Sequence, residues 1–370
     1  MPEPFKNLIS PATVEAYAQA LPALAPGFDA AAFRAAVLPH LEARELKDRV
    51  RLLADALHGH LPGDYPAALS ALLGLMGPPA DLEQKNQFAF QLWPVTDFVE
   101  RYGLSHPSAS LDALHALTQR FSGEFAIRPY LLQHREQTLA RLSTWVSDPS
   151  PHVRRLVSEG TRTRLPWGQR LQPFIDDPSP VLALLEGLRA DPHPYVRRSV
   201  ANNMNDLAKD HPALVVATCR RWLEQVPGAQ TQALVTRALR SLVKQGHPDA
   251  LTLLGAGGAE GLSLTRLTVS PRVVLGGQLE LDFTVHNPHD APVPAVIDLV
   301  LHFRKTDGSL RPKVFKGARI DLPPGPRAVL KRLPLKPVTT RRHHPGTQRV
   351  EVQVNGRILG GADFELVVPE

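Results

Sequence analysis

Cysteine occurs only once in this 370-residue chain, as Cys219. That excludes an intramolecular disulfide framework and fits a reducing compartment. No apolar run approaches the roughly 18–20 residues that span a bilayer. The opening Met1-Pro2-Glu3-Pro4-Phe5-Lys6 lacks the charged-then-apolar pattern of a signal peptide. The expectation is a cytoplasmic protein with no membrane partner. Cys-x-x-Cys, His-Glu-x-x-His, Gly-x-Ser-x-Gly and Walker loops are all missing. The histidines mostly adjoin proline (His106, His193, His211, His247), as turn residues do. Neither a metal nor a nucleotide cofactor is indicated.

Proline, by contrast, is plentiful: its 36 copies are spread along the chain as punctuation. A hydrophobic fraction of 43% with 21% charged residues is that of a globular protein, and a chain of this length divides into about two domains.

One motif is written twice. Asp148-Pro149-Ser150-Pro151-His152-Val153-Arg154-Arg155-Leu156-Val157-Ser158-Glu159 returns as Asp191-Pro192-His193-Pro194-Tyr195-Val196-Arg197-Arg198-Ser199-Val200-Ala201-Asn202. A repeat of this length is the signature of paired-helix solenoids of the HEAT/armadillo kind. Asp-Pro-x-Pro is a turn and helix-start signal, so the residues after it should form the inner helix of each repeat. Val153 and Val157, like Val196 and Val200, then form the apolar stripe. Arg155 and Glu159 share one polar face, as do Arg198, Asn202 and Asp206. Thr161-Arg162-Thr163-Arg164-Leu165-Pro166-Trp167 follows the first copy, and Pro166 should place Trp167 in the turn beside Glu159.

Around this centre the chain reads as helices from residue 1 to 254. Asp29 is a cap candidate, and stripes run over Arg44–Leu57, Leu111–Phe121, Arg128–Val146, Pro212–Val226 and Gln230–Gln245. Arg120-Phe121-Ser122-Gly123-Glu124 is a shorter echo of the motif, with Glu124 where Glu159 stands in the next unit. The Gly-rich stretch 255–261 lacks a phosphate loop's Lys-Ser/Thr ending and reads as a linker. From 262 to 370 the period becomes 2. Leu279, Leu281, Phe283 and Val285 alternate with polar residues, as do Ile297, Leu299, Leu301 and Phe303. Val350, Val352 and Val354 lead into an Asn355-Gly356 hairpin turn. About seven such strands fit an immunoglobulin-like sandwich without its disulfide. The fold class is therefore α then β: a helical repeat solenoid followed by a β-sandwich.

Net charge is +6, and residues 262–370 carry all of the excess. Residues 120–170 are also rich in arginine. A polyanionic partner and simple solubility both account for this. The same two readings, phosphate grip or solvated turn, apply to the loops Arg304-Lys305-Thr306-Asp307-Gly308 and Thr340-Arg341-Arg342-His343-His344-Pro345-Gly346. Glu159, Asp206, Trp167 and Glu124 lie among the arginines. Carboxylates repel a polyanion, so spacing alone favours structural pairing, Glu159 with Arg155 and Asp206 with Lys209 or Arg198.

Three segments change that balance. Arg155-Leu156-Val157-Ser158-Glu159-Gly160-Thr161-Arg162-Thr163-Arg164-Leu165-Pro166-Trp167 resembles the AlkC branch of the HEAT-like-repeat DNA glycosylases. So do Asn202-Asn203-Met204-Asn205-Asp206-Leu207-Ala208-Lys209-Asp210-His211-Pro212 and the start, Glu3-Pro4-Phe5-Lys6-Asn7. The resemblance covers essentially the whole chain, and some members also carry an immunoglobulin-like C-terminal domain. It implies removal of cationic alkylated bases (N3-methyladenine, N3-methylcytosine, N1-methyladenine) from double-stranded DNA. The lesion would be read through the backbone of bent DNA, without a deep base-flipping pocket. It also implies that Asp206, Glu159 and Trp167 occupy active-site positions, with Glu124 a fourth and Asp206 the principal carboxylate. Arg155, Arg162, Arg164, Arg198 and Asn202 are then DNA-binding candidates. In the sandwich Lys305, Arg341, Arg342, His343 and His344 are the corresponding ones, on loops that would close on DNA. A monomer suffices for this. A non-catalytic binder of damaged DNA and a HEAT-repeat interaction scaffold are the other two readings.

Overall fold

The computed structural model describes residues 4–77, 79, 87–256, 260–338 and 342–369. Glu3, the linker residues Gly257, Gly258 and Ala259, and the loop residues Thr340 and Arg341 lie outside the described residues. Eight helices come first: α1 (Pro11–Leu24), α2 (Ala30–Leu41), α3 (Leu46–His60), α4 (Tyr65–Leu73), α5 (Trp93–Tyr102), α6 (Pro107–Thr118), α7 (Arg128–Gln133) and α8 (Arg135–Trp145). Then follow α9 (Pro151–Gly160), α10 (Gln172–Asp176), α11 (Ser179–Leu188), α12 (Pro194–Leu207), α13 (Pro212–Gln225), α14 (Ala229–Ala238), α15 (Arg240–Gln245) and α16 (Pro248–Leu253). Eight strands complete the order: β1 (Ser263–Val269), β2 (Arg272–Val274), β3 (Gln278–Asn287), β4 (Val293–Arg304), β5 (Leu310–Leu322), β6 (Gly325–Pro334), β7 (Gly346–Val354) and β8 (Arg357–Val367). Among the described residues no helix is long and apolar enough to cross a membrane.

The chain forms two compact units, Met1–Asp210 with Val226–Ala238, and His211–Gln225 with Leu239–Glu370. In the first, the twofold motif builds the same start for α9 and α12. The Asp148 carboxylate accepts the Ser150 N–H at 2.8 Å, and Asp191 accepts the His193 N–H at 2.8 Å. Each aspartate thus folds a turn two residues ahead of itself, and the second proline of each copy fills the first helical position, where a missing N–H costs nothing. The first arginine of each pair belongs to the turn. Arg154 donates to the Asp148 and Pro149 carbonyls, and Arg197 donates to the Asp191 and Pro192 carbonyls. Arg154 also forks onto the Asp191 carboxylate (2.6 and 3.1 Å), which ties one repeat to the next.

Val153, Leu156 and Val157 on α9 are buried, as are Val196, Val200, Met204 and Leu207 on α12, and the two helices pack against each other. Asp29 caps α2, accepting the Ala31 and Ala32 N–H groups at 2.9 Å. Two expected helices are each broken once. The 128–146 stretch divides at His134 (φ −125°, ψ 46°) and the 230–245 stretch at Leu239 (φ −88°, ψ 2°). An apolar stripe keeps its phase across such a kink, so periodicity does not reveal it.

In the second unit the strands form a three-stranded sheet, β1-β3-β6, and a five-stranded sheet, β2-β8-β7-β4-β5. Leu281, Phe283, Ile297, Leu299, Leu301, Val350 and Val352 fill the space between them. The extra strand relative to the expected seven is β2, three residues long and parallel to β8. Asn355 (φ 45°) and Gly356 (φ 79°) make the β7–β8 turn with both φ values positive, as a type I′ hairpin requires. The period-2 pattern of β4 implies one wet face, yet Asp298 and Val300 are buried as well. Gly246, closing α15, meets Gly356 backbone to backbone, where a Cβ on either would clash. Gln353 donates to the Lys244 carbonyl at 3.3 Å. The α15 end thus covers the face that the strand pattern alone leaves to solvent.

Candidate functional site

The polar faces of α9 and α12 meet in a chain of alternating charges, nearly all of it buried. Glu124, in the turn before α7, receives Arg155 Nη1 at 2.6 Å. Arg155 Nη2 stands 3.6 Å from Glu159 Oε1, and Arg162 Nη1 donates to the same oxygen at 2.6 Å. Arg162 Nε donates to Asp206 Oδ2 at 2.8 Å, and Lys209 Nζ donates to Asp206 Oδ1 at 3.1 Å. Glu159, Arg162 and Asp206 are only 5%, 8% and 2% exposed. Helical geometry sets the spacing: Glu159 lies on the last turn of α9 and Asp206 on the last turn of α12. Arg162, just past the end of α9, reaches both. Burial acts to raise the Glu159 carboxyl pKa. The Arg155 and Arg162 charges and the Ser199 hydroxyl, which donates to Oε2 at 2.6 Å, outweigh it and hold the group below the ordinary range. Glu159 is therefore ionised at neutral pH.

The loop from Thr161 to Leu171 presents Trp167. The residue is 68% exposed, and its backbone is left-handed (φ 64°), rare for a bulky residue and strained. Two contacts hold it there. Lys47 Nζ donates to the Trp167 carbonyl at 2.8 Å. Arg128, 1% exposed, donates to the Gly160 and Arg162 carbonyls at 2.9 Å each and to the Gln169 carbonyl at 2.7 Å. Burial lowers the Arg128 pKa to about 10, so the guanidinium keeps its charge and pins both ends of the loop. Sequence reading missed Arg128 because nothing in its spacing distinguishes it from a surface arginine.

The DNA-binding candidates are differently placed. Arg155 and Arg162 belong to the buried chain. Arg164 forks onto Asp210 at 3.1 and 2.7 Å. Asn202 accepts from Arg237 Nε at 3.1 Å. Arg198 is exposed and has no side-chain partner among the described residues. In the second unit, Lys305 pairs with Asp307 at 3.3 Å, and His344 meets the Thr306 hydroxyl at 3.2 Å. His343 stands edge-on to Phe303, and Arg342 is exposed without a partner among the described residues. Arg341 lies outside them.

Sequence reading also missed a cavity of about 270 Å³ in the first unit. Trp93 and Phe125 form one wall, with rings near-parallel at 5.7 Å, and Asp97 and Glu100 line it. Lys47, Arg51 and Arg101 complete it. The signal was present in the sequence: Trp93, Asp97, Glu100 and Arg101 recur at i, i+4, i+7 and i+8, on one face of α5. Burial raises Asp97 to about 6, against the lowering charges of Arg101, Arg51 and Lys47 and with Asp55 adding to the rise. Burial, then the Asp97 charge, raises Glu100 to about 7, again against Lys47, Arg51 and Arg101. A raised carboxyl favours the fold below its unfolded value of 4.5, and that contribution is lost as pH climbs through about 7. Glu100→Gln removes the loss. Measured by urea denaturation, the variant should gain about 3 kcal/mol on wild type between pH 4 and pH 8. An equal difference at both pH values would contradict the burial argument.

Among the described residues no three His, Cys, Asp or Glu side chains are grouped to hold a metal. Helical repeats that carry a buried carboxylate chain, followed by a β-sandwich, define the class of architecture. Residues 263–368 match the family described as the C-terminal Ig-like domain of the uncharacterised protein YhaZ. The chain is 37% identical over 330 residues to the uncharacterized protein YhaZ of Bacillus subtilis (strain 168), covering 87% of each protein. Pseudomonas fluorescens alkylpurine DNA glycosylase AlkC, bound to DNA containing an abasic site analog, matches with a TM-score of 0.89 and 36% identity. That match covers 98% of this chain and 99% of that one. The chain belongs to the family of AlkC and YhaZ.

Proposed function

We propose that this protein is a DNA glycosylase that hydrolyses the N-glycosidic bond of cationic alkylated bases in duplex DNA. N3-methyladenine, N3-methylcytosine and N1-methyladenine are the substrates the chemistry suits. The observation that carries this reading is the buried Glu159–Arg162–Asp206 chain, with the exposed Trp167 five residues past Arg162 on the loop that leaves it. It occurs in a protein 36% identical, over nearly its full length, to a DNA-bound alkylpurine glycosylase.

An alkylated base with a positive charge leaves readily. When the C1′–N bond breaks, its electron pair passes to the ring nitrogen and the base departs neutral. The barrier lies in the sugar, which becomes positive at C1′. Fixed carboxylates facing it lower that barrier because their dipoles and charges are already in place. Asp206 is the principal group and Glu159 the second. Water then attacks C1′, and its proton passes to a carboxylate. The exposed Trp167 indole supplies a face for the sugar or the cationic base. Lys209 is the exposed member of the chain, its side chain 42% accessible. A DNA phosphate that draws it away frees Asp206 Oδ1 for the sugar. No cofactor takes part.

The test is base release from duplex DNA carrying N3-methyladenine or N3-methylcytosine, with undamaged duplex as control. Release supports the reading. Binding to DNA without release would make the protein a non-catalytic reader of damage, and neither would leave a repeat scaffold. The salt dependence of duplex binding separates the arginines. Arg198→Ala and Arg342→Ala should each reduce the slope of log K against log salt by about 1. Arg164→Ala, whose charge is already matched by Asp210, should leave the slope nearly unchanged. Equal slopes for all three variants would remove Arg198 and Arg342 as phosphate contacts.

A further inference from the structure

The cavity at Trp93, Phe125, Asp97 and Glu100 takes no part in the hydrolysis just described, yet it is built to hold something. Asp97 is 7% exposed, and its Oδ2 has no hydrogen-bond partner; the nearest cation, Arg101 Nη1, is 3.8 Å away. A buried carboxyl oxygen left open costs free energy unless a partner arrives. Glu100, beside it, has no hydrogen-bond partner among the described residues either. Trp93, on the same face of α5 as the two carboxyls, and Phe125 stack on each other with near-parallel rings and give the cavity an apolar side. A volume of about 270 Å³ lies below the roughly 300–1,000 Å³ of drug-sized sites and suits one fused heterocycle.

The cavity also adjoins the proposed catalytic chain. Phe125 directly follows Glu124. Lys47, whose Nζ lies 4.8 Å from the Phe125 ring centre, holds the Trp167 carbonyl.

We propose that this cavity receives the released base: a neutral alkylated aminopurine with its amino and ring-nitrogen edge on Asp97 and Glu100. This inference rests on the glycosylase reading above. An aminopurine offers an N–H donor beside a ring-nitrogen acceptor. A carboxylic acid answers both at once, its C=O accepting and its O–H donating, and a carboxylate answers the donor alone. Two carboxyls that change protonation near neutrality therefore match such an edge, whereas ordinary ionised carboxylates would not. Three neighbouring cations, Lys47, Arg51 and Arg101, disfavour a base that is still positively charged. The cavity thus fits the product rather than the substrate, and the base enters after the C1′–N bond has broken.

The experiment titrates the full-length protein with free 3-methyladenine and follows binding by calorimetry. Asp97→Asn/Glu100→Gln and the single Glu100→Gln are compared with wild type, and each variant's fold is checked by thermal melting. Base release is measured separately in the same preparations. Saturable binding by wild type, weakened about 10- to 100-fold in the double variant, is expected. Free 3-methyladenine should inhibit wild-type turnover and inhibit the double variant less, while the single-turnover rate stays close to that of wild type. Absent binding, or binding equal in wild type and both variants, overturns the inference even when base release is normal. Absent base release with 3-methyladenine binding intact sinks the glycosylase reading and leaves the cavity as a purine site. A lesion duplex whose affinity falls in parallel with that of the free base would place the ring in the cavity before cleavage, and would overturn the product assignment.

Discussion

Replacing Arg162 with methionine should destabilise the protein by about 3–5 kcal/mol, the range for breaking a buried ion pair from one side. Arg162 is only 8% exposed, and its side chain holds two carboxylates, Glu159 at 2.6 Å and Asp206 at 2.8 Å. Methionine fills much of the volume, so the effect is mainly that of stranding charge. Neither carboxylate is left wholly alone. Glu159 keeps Ser199 at 2.6 Å and Arg155 at 3.6 Å, and Asp206 keeps Lys209 at 3.1 Å. These residual partners place the expected value toward the lower end of the range. The pH dependence follows from Glu159, whose pKa is depressed by the arginines against the opposing pull of burial. A depressed carboxyl stabilises the fold above its unfolded value of 4.5, and that contribution is lost as pH falls through the lower folded value. The variant lacks most of it. Urea denaturation should therefore show the largest gap from wild type near pH 7 and a smaller one near pH 4. A gap under about 1 kcal/mol, or one indifferent to pH, would mean that Arg162 is not holding these charges.

How much of this was legible in the sequence depends on the distance over which each feature is encoded. The twofold motif announced α9 and α12 because Asp-Pro-x-Pro acts within a few residues, and the structure shows each aspartate folding its own turn. Asn355-Gly356 announced its hairpin for the same reason. The two arginines that follow each turn look equivalent in sequence and are not: Arg154 and Arg197 clasp their own turns, while Arg155 joins the charge chain and Arg198 reaches solvent. Position on the helical wheel separates them only once the neighbouring helix is in place. Pairing of Glu159 with Arg155 and of Asp206 with Lys209 could be read at i±4 and i+3. The closer partner of both carboxylates, Arg162, bridges α9 to α12 from a loop, so its contact with Asp206 spans 44 residues. Arg128 was hidden for the same reason, and of the cavity only the α5 side, Trp93, Asp97, Glu100 and Arg101, shows in the sequence, while Lys47, Arg51 and Phe125 do not. Each is made by elements far apart in the chain, and single-sequence patterns carry no term for that.

Asp206→Asn should lower the single-turnover rate of base release by about 10²–10³-fold, the usual effect of removing one preorganised electrostatic contact to a transition state. The substitution keeps shape and removes charge. The asparagine oxygen can still accept from Arg162 Nε. Its amide nitrogen then faces Lys209 Nζ, donor against donor, so Lys209 is released toward solvent. Duplex affinity should hold or rise, because a negative charge has left a surface that meets phosphates. Loss of rate with binding retained distinguishes a group acting on the sugar from one that merely orders the site. Glu159→Gln provides the comparison. Its oxygens are already engaged by Arg162 and Ser199, so its charge reaches the sugar less directly and the expected fall is smaller. A single-turnover rate for Asp206→Asn within a few-fold of wild type would take the principal role away from Asp206. A fall in Glu159→Gln that exceeds the one in Asp206→Asn would transfer it to Glu159. The charge chain makes the two substitutions interdependent, since Arg162 is shared. The double variant should therefore lose less than the product of the two single effects.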